Sequence, residues 1–101
     1  EKVKILRYEN GGKYKWHTDC GSQETSLRKL TAIVQLSDET KYEGGDLEFG
    51  ITDKSGKNNY TAPRTQGSIT IFPAFLSHRV TPITKGRRYS LITWMLGDCF
   101  V

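Results

Sequence analysis

Apolar and polar residues alternate over short stretches of this chain, and glycine, proline or asparagine stands between the stretches. Val3-Lys4-Ile5-Leu6-Arg7-Tyr8 alternates and is rich in β-formers, which predicts a strand with one buried face. Asn10-Gly11-Gly12 predicts a turn. A second strand restarts at Tyr14-Lys15-Trp16 and runs into His17. Residues 21–28 are polar and read as a loop. Residues 30–36 form the nearly unbroken apolar run expected of a buried strand. Residues 37–43 read as a polar connection punctuated by Gly44-Gly45, and residues 46–49 as a short alternating strand. Residues 52–59 have the composition of an exposed hairpin tip. Further strands are expected at residues 60–62, at 68–72 before Pro73, and at 78–83. Lys85-Gly86 predicts a tight turn, and residues 88–96 carry the longest apolar strand.

That makes about eight short strands at regular spacing and no convincing helix, the signature of an all-β sandwich or barrel. A jelly roll of two packed sheets fits best. No internal repeat or low-complexity segment interrupts the pattern. At 101 residues the chain is expected to form a single domain, residues 1–101, with a modest core. It opens directly in a strand-like segment without a signal-peptide pattern, as expected of an excerpt from a longer protein. Its 36% hydrophobic and 26% charged content fits a globular rather than a disordered domain. No apolar run approaches a membrane span, so no membrane partner is expected. A cytoplasmic location is the corresponding expectation.

The net charge of +4 comes from scattered lysines and arginines and is read first as a solubility device. Lys13 and Lys15 precede the chemistry described next and are candidates to face an acidic substrate. No basic helix or nucleic-acid motif is present, so no nucleic-acid partner is expected. Cys20 and Cys99 are the only cysteines, and two so far apart do not make a disulfide framework. They are read as two small buried thiols in a reducing compartment.

The candidate chemistry lies in the two histidines. His17 and Asp19 are two apart, and on a strand such residues share a face. His78 lies on a different predicted strand, which a jelly roll can bring opposite that pair. Two imidazoles and one carboxylate leave metal positions open, as in the facial triad of non-haem iron oxygenases. Three protein ligands plus water also describe a catalytic zinc site. Arg88 and Ser90 share a face of the last strand, among largely apolar neighbours. A guanidinium fork and a hydroxyl there would suit a carboxylate beside the metal. Arg87 is an alternative donor, but alternation puts it on the opposite face.

With Tyr8-Glu9-Asn10-Gly11-Gly12-Lys13-Tyr14-Lys15-Trp16-His17-Thr18-Asp19, Gly44-Gly45-Asp46-Leu47-Glu48-Phe49, His78 and Arg88-Tyr89-Ser90 together, the chain resembles the Fe(II)/2-oxoglutarate-dependent oxygenases of the prolyl 4-hydroxylase type. The resemblance covers nearly its whole length and implies a double-stranded β-helix. It implies His17, Asp19 and His78 as catalytic and Fe(II)-binding residues, and Arg88 with Ser90 as the site for the distal carboxylate of 2-oxoglutarate. Tyr8, Tyr14, Gln35 and Trp94 match further positions around the co-substrate and metal, although ordinary core packing also accounts for the aromatic ones. Dioxygen is the implied second co-substrate and ascorbate a further candidate cofactor. The implied reaction hydroxylates a C–H bond, first of a prolyl or other peptidyl residue, with succinate and carbon dioxide as co-products.

Two departures stand out. Members of the family usually carry helices ahead of the core sheet, and none is found here, so one sheet face is left for another cover, a second copy of the chain among them. The segments 21–28 and 38–43, where substrate selection would lie, match no particular substrate class. A small-molecule hydroxylase acting on a free amino acid is the alternative within the class. A non-enzymatic jelly-roll binding module with a vestigial metal site, and a zinc hydrolase on the same ligands, are the alternatives outside it. The intact triad with Arg88-Tyr89-Ser90 argues against the first of these. The zinc hydrolase gives Arg88 no role.

Overall fold

A computed structural model describes residues 3–20, 27–51 and 59–97. Nine strands follow one another: β1 (Lys4–Glu9), β2 (Tyr14–His17), β3 (Arg28–Gln35), β4 (Tyr42–Gly44), β5 (Leu47–Phe49), β6 (Tyr60–Thr61), β7 (Ile69–Pro73), β8 (His78–Val80) and β9 (Ile83–Leu96). A 3-10 turn spans Glu39–Lys41, N-capped by the Asp38 side chain, and among the described residues no helix is long and apolar enough to cross a membrane. The strands form two antiparallel sheets. One has the order β1-β9-β3-β7 with β4 added to β9, and the other has the order β2-β8-β5-β6. The chain passes between the sheets repeatedly, which is the expected double-stranded β-helix, or jelly roll.

Alternation of side chains decides which residues meet between the sheets. Along β9, Arg88, Ser90, Ile92 and Trp94 are buried, while Tyr89, Leu91 and Thr93 on the other face are only partly covered. Tyr8 and Leu6 of β1 and Ile33 of β3 join the inner face, and Leu47, Phe49 and Val80 meet them from the smaller sheet. The outer face of the larger sheet is apolar and exposed at Ile5, Ile69 and Ile71.

Asn10 and Gly11 both have positive φ, and the Gly12 amide donates to the Glu9 carbonyl at 2.8 Å, so the predicted turn is present. It joins two sheets rather than two paired strands. Gly11 and Gly12 exchange backbone hydrogen bonds with Ile83 instead, tying the turn to the start of β9.

Three expectations need correction. Residues 42–44 are a strand, not part of a polar connection. Their pairing with residues 83–86 is long-range and leaves no local apolar signal. Lys85-Gly86 is not a turn but lies inside the 14-residue β9. Gly86 uses its positive φ of 75° at an irregular stretch of the β4–β9 pairing. Finally, Cys20 is in a disulfide rather than a free thiol. Sequence separation misleads here because the start of β3 pairs with the end of β9, Arg28 against Leu96, so distant segments meet. Cys99, residues 52–58 of the predicted tip at 52–59 and most of the predicted loop at 21–28 lie outside the described residues.

Gly86 has no room for a side chain: a Cβ would stand 2.2 Å from the Lys41 carbonyl oxygen, whereas at Gly67, also of positive φ, nothing lies within 4 Å. Both alanine variants incur the left-handed backbone cost of about 1–2 kcal/mol. Gly86→Ala should lose about 1–3 kcal/mol more, through the enforced shift of β4. Urea denaturation of the two variants checks this, and equal losses would show that β4 yields freely.

Candidate metal centre

His17 ends β2 and His78 begins β8, and the register of the two strands sets them directly opposite each other. Asp19 lies just beyond the end of β2, so the shared strand face expected for 17 and 19 is not what brings them together. The Asp19 amide instead donates to the Ala74 carbonyl at 2.8 Å, which turns the carboxylate inward. His17 Nε2 is 3.4 Å from Asp19 Oδ1, and His78 Nε2 is 3.4 Å from Asp19 Oδ2. One ligand atom from each of the three residues lies within 4.8 Å of the others. A first-row ion bound at about 2.1 Å by ligands at right angles needs them roughly 3 Å apart, so this set is close to that spacing.

The ring orientation fits the same use. His17 Nδ1 faces the Lys15 carbonyl at 2.6 Å, and His78 Nδ1 faces the Leu76 carbonyl at 2.8 Å. A carbonyl only accepts, so in the neutral rings Nδ1 carries the proton and Nε2 turns its lone pair to the centre. Tyr14 stacks on the His17 ring at 3.9 Å, and Phe72 meets the His78 ring edge-on at 4.8 Å.

Burial pushes the Asp19 carboxyl up. The hydrogen bonds with His17, His78 and Thr31 and the charge of His78 outweigh that, so it stays ionised well below the usual carboxylate range. Burial likewise pulls the His17 imidazole down, but the Asp19 carboxylate and the Lys15 carbonyl more than offset it and raise it above 6.5. Thr31 is the residue that sequence reasoning missed. Fully buried on β3, it donates from Oγ1 to Asp19 Oδ2 at 2.7 Å. Its only trace in the sequence is a hydroxyl inside an otherwise apolar strand.

A cavity of about 170 Å³ extends from this centre between the sheets. Tyr8, Tyr14, Arg88, Ser90 and Trp94 line it with the triad. Arg88 is 1% exposed, with Nη1 3.5 Å from Ser90 Oγ, and its Nε and Nη2 have no hydrogen-bond partner. The Tyr8 ring lies 5.1 Å from the guanidinium. Burial lowers the Arg88 pKa, and Tyr8 and Tyr42 partly counter it; burial raises that of Tyr8 against the pull of Arg88. Arg87 points outward to Glu9, at 2.7 Å. Gln35 is buried at the end of β3 opposite Ser90 but is not part of the cavity lining. Lys13 and Lys15 line a separate surface groove with Trp16 and Arg79.

A metal must displace the proton that His17 holds, so metal affinity should rise with pH and keep rising above pH 6.5. Mn(II) titrations across pH 5.5–8 check this, and a flat profile would contradict it. Thr31→Val removes the hydroxyl that orients Asp19 and should weaken Mn(II) binding about 10–100-fold with the fold intact.

The family profile of the 2OG-Fe(II) oxygenase superfamily matches residues 3–96. A PKHD-type hydroxylase of Idiomarina loihiensis is 34% identical over 93% of this chain and 41% of its own length. A PKHD-type hydroxylase of a Synechococcus strain is 34% identical over 90% of this chain and 40% of its own. The chain thus spans about two fifths of these curated relatives. Among solved structures, a prolyl-4-hydroxylase of Pseudomonas putida superposes with a TM-score of 0.80 at 22% identity, over 95% of this chain and 52% of that one. A Trichoplax adhaerens prolyl hydroxylase in complex with a hypoxia inducible factor peptide fragment superposes at 0.76 with 18% identity, over 96% of this chain and 43% of that one. These two likenesses concern the fold. The profile spans nearly every described residue, and the chain belongs to the 2OG-Fe(II) oxygenase superfamily.

Proposed function

We propose that residues 1–101 form the single catalytic core domain of an Fe(II)- and 2-oxoglutarate-dependent dioxygenase that hydroxylates a C–H bond of a prolyl or other peptidyl residue. The observation that carries this reading is Arg88. A guanidinium buried with two unpartnered nitrogens is costly unless an anion completes it. It lines the same cavity as a His-Asp-His ligand set. A dicarboxylate that chelates a metal at one end and meets Arg88 at the other satisfies both.

In this reading His17, Asp19 and His78 hold Fe(II), and their Nδ1 and Oδ2 hydrogen bonds keep the donor atoms aimed. Arg88 binds the distal carboxylate of 2-oxoglutarate as a planar fork, and Ser90 adds a hydroxyl. Tyr8 walls the pocket beside Arg88, and Tyr14 fixes the His17 ring by stacking. Apolar Leu6, Ile33 and Ile92 keep water from the space between. Fe(II) held there would supply the oxidising chemistry together with 2-oxoglutarate and dioxygen, the expected co-products would be succinate and carbon dioxide, and ascorbate would serve as an accessory reductant. A peptidyl substrate is favoured by the peptide bound to the Trichoplax protein of like fold.

Succinate formation from 2-oxoglutarate by Fe(II)-loaded protein, started with air, tests the reading. Slow turnover without substrate is expected, and His78→Ala should abolish it. Arg88→Ala should weaken metal-dependent 2-oxoglutarate binding at least about tenfold, since a charged bond contributes roughly 1.5–3 kcal/mol. Absence of any metal-dependent 2-oxoglutarate binding by the parent protein would refute the proposal.

A further inference from the structure

Strand β4 is three residues long, and among the described strands it pairs with β9 alone. So short a strand with one neighbour is held weakly by its own pairing. A side chain from elsewhere adds to that hold. Arg64, between β6 and β7, donates from Nη1 to the Gly44 carbonyl at 2.7 Å and from Nη2 to the Tyr42 carbonyl at 3.2 Å. Its Nη1 also donates to Asp46 Oδ1 at 2.5 Å, and the guanidinium lies 4.4 Å from the centre of the Tyr42 ring. One planar fork thus fastens two carbonyls of β4 and the acid just past its end, and sets a cation on the Tyr42 ring.

The segment held in this way packs on Arg88. Gly45, the residue after β4, has a φ of 67°, and its backbone runs so close to the Arg88 chain that a Cβ there would stand 3.1 Å from Arg88 Cδ. Tyr42 is buried in the core beside Tyr8. Burial works against the Arg88 charge, and the Tyr8 and Tyr42 phenols counter it. The charge of Arg64 also works against that of Arg88, and the carboxylate of Asp46 offsets it.

Hydrogen bonds do little to aim the Arg88 guanidinium. Its Nη1 is 3.5 Å from Ser90 Oγ, the outer limit of such a bond, and its Nε and Nη2 have no partner. Packing along its stem therefore sets its direction, and the Gly45 backbone is part of that packing. If β4 withdraws, the stem gains room for other rotamers. A carboxylate is gripped by two parallel N–H groups, so a turned fork loses much of its hold on it. The two histidines of the metal centre belong to β2 and β8 of the other sheet and keep their places.

We propose that Arg64 is a positioning residue for co-substrate recognition: by clamping β4 it fixes the direction of the Arg88 guanidinium, and with it the preference for a 2-oxo acid that carries a distal carboxylate. This inference rests on the proposed function. Arg64 touches neither metal nor co-substrate in this account and acts through Tyr42 and Gly45.

Arg64→Lys is the deciding variant, because it keeps the charge beside Asp46 and loses the fork that spans both carbonyls. Arg64→Gln removes the charge as well and should show a larger effect of the same kind. Arg79→Lys is the matched control. Arg79 likewise donates to a carboxylate, Glu48 at 2.7 Å, and lies 4.8 Å from the Trp16 ring, but it belongs to the smaller sheet. The first readout needs no metal or co-substrate. In protein labelled with 15N-arginine, NMR follows exchange of the Arg88 Nε–H with water, the signal being assigned by its loss in Arg88→Lys. Exchange should be slow in the parent protein, several-fold faster in Arg64→Lys and unchanged in Arg79→Lys.

The second readout is the ratio of affinities of the Mn(II)-loaded protein for 2-oxoglutarate and for 2-oxovalerate, which lacks the distal carboxylate. A general loss of folded protein lowers both affinities together and leaves the ratio alone. The preference should fall from about tenfold in the parent protein to about threefold in Arg64→Lys, with Mn(II) affinity and 2-oxovalerate affinity kept. An unchanged Arg88 exchange or an unchanged preference in Arg64→Lys would overturn the inference, as would equal effects in Arg79→Lys. A parent protein without any preference for 2-oxoglutarate would count against the proposed function, and the exchange measurement would still decide whether Arg64 positions Arg88.

Discussion

Strand β9 is hydrogen-bonded to β1 over residues 87–92 and to β3 over residues 90–96, while β4 takes up its first residues. The cavity depends on that pairing. A strand held on both sides cannot slip by one residue without turning its inner row outward. Here the inner row is Arg88, Ser90, Ile92 and Trp94. One register therefore fixes the buried arginine, the apolar wall and the indole that line one cavity with the triad. The same lock lets the fold bury Arg88, since an unpaired guanidinium gains more by reaching water than by staying inside a yielding sheet.

The smaller sheet contributes the two histidines of the candidate metal centre by a different device. His17 and His78 meet as cross-strand neighbours, and a backbone carbonyl holds each ring. Asp19 is fixed from the other sheet by Thr31. The centre thus spans both layers, and its geometry reports on how the sheets pack. Loss of Thr31 would reach Asp19 directly, through the missing hydrogen bond, whereas displacement of β4 would reach the triad only through this packing.

Much of this was legible in the chain. Strand periodicity marked eight of the strands, because a buried face imposes a period of two on residue type. The two histidines and Asp19 stood out together as a possible metal-ligand set, and Arg88 because a charge among largely apolar strand neighbours needs a partner. Strand β4 was not legible, since its three residues sit in a polar stretch and pair only at long range. Gly86 carried a turn signal, yet its left-handed backbone serves an irregularity within a long strand. Thr31 shows its use only when the fold sets it beside Asp19. The disulfide at Cys20 escaped because sequence separation says little about distance across a sheet.

The central claim is that the buried guanidinium of Arg88 is completed by the far carboxylate of a metal-chelating diacid. Calorimetric titration of the Mn(II)-loaded protein with 2-oxoglutarate and with 2-oxovalerate, which chelates alike but lacks that carboxylate, tests it most directly. The account predicts that 2-oxoglutarate binds at least about tenfold tighter, the equivalent of one charge-assisted bond. Equal affinity for the two acids would contradict it and leave Arg88 without the partner assigned to it.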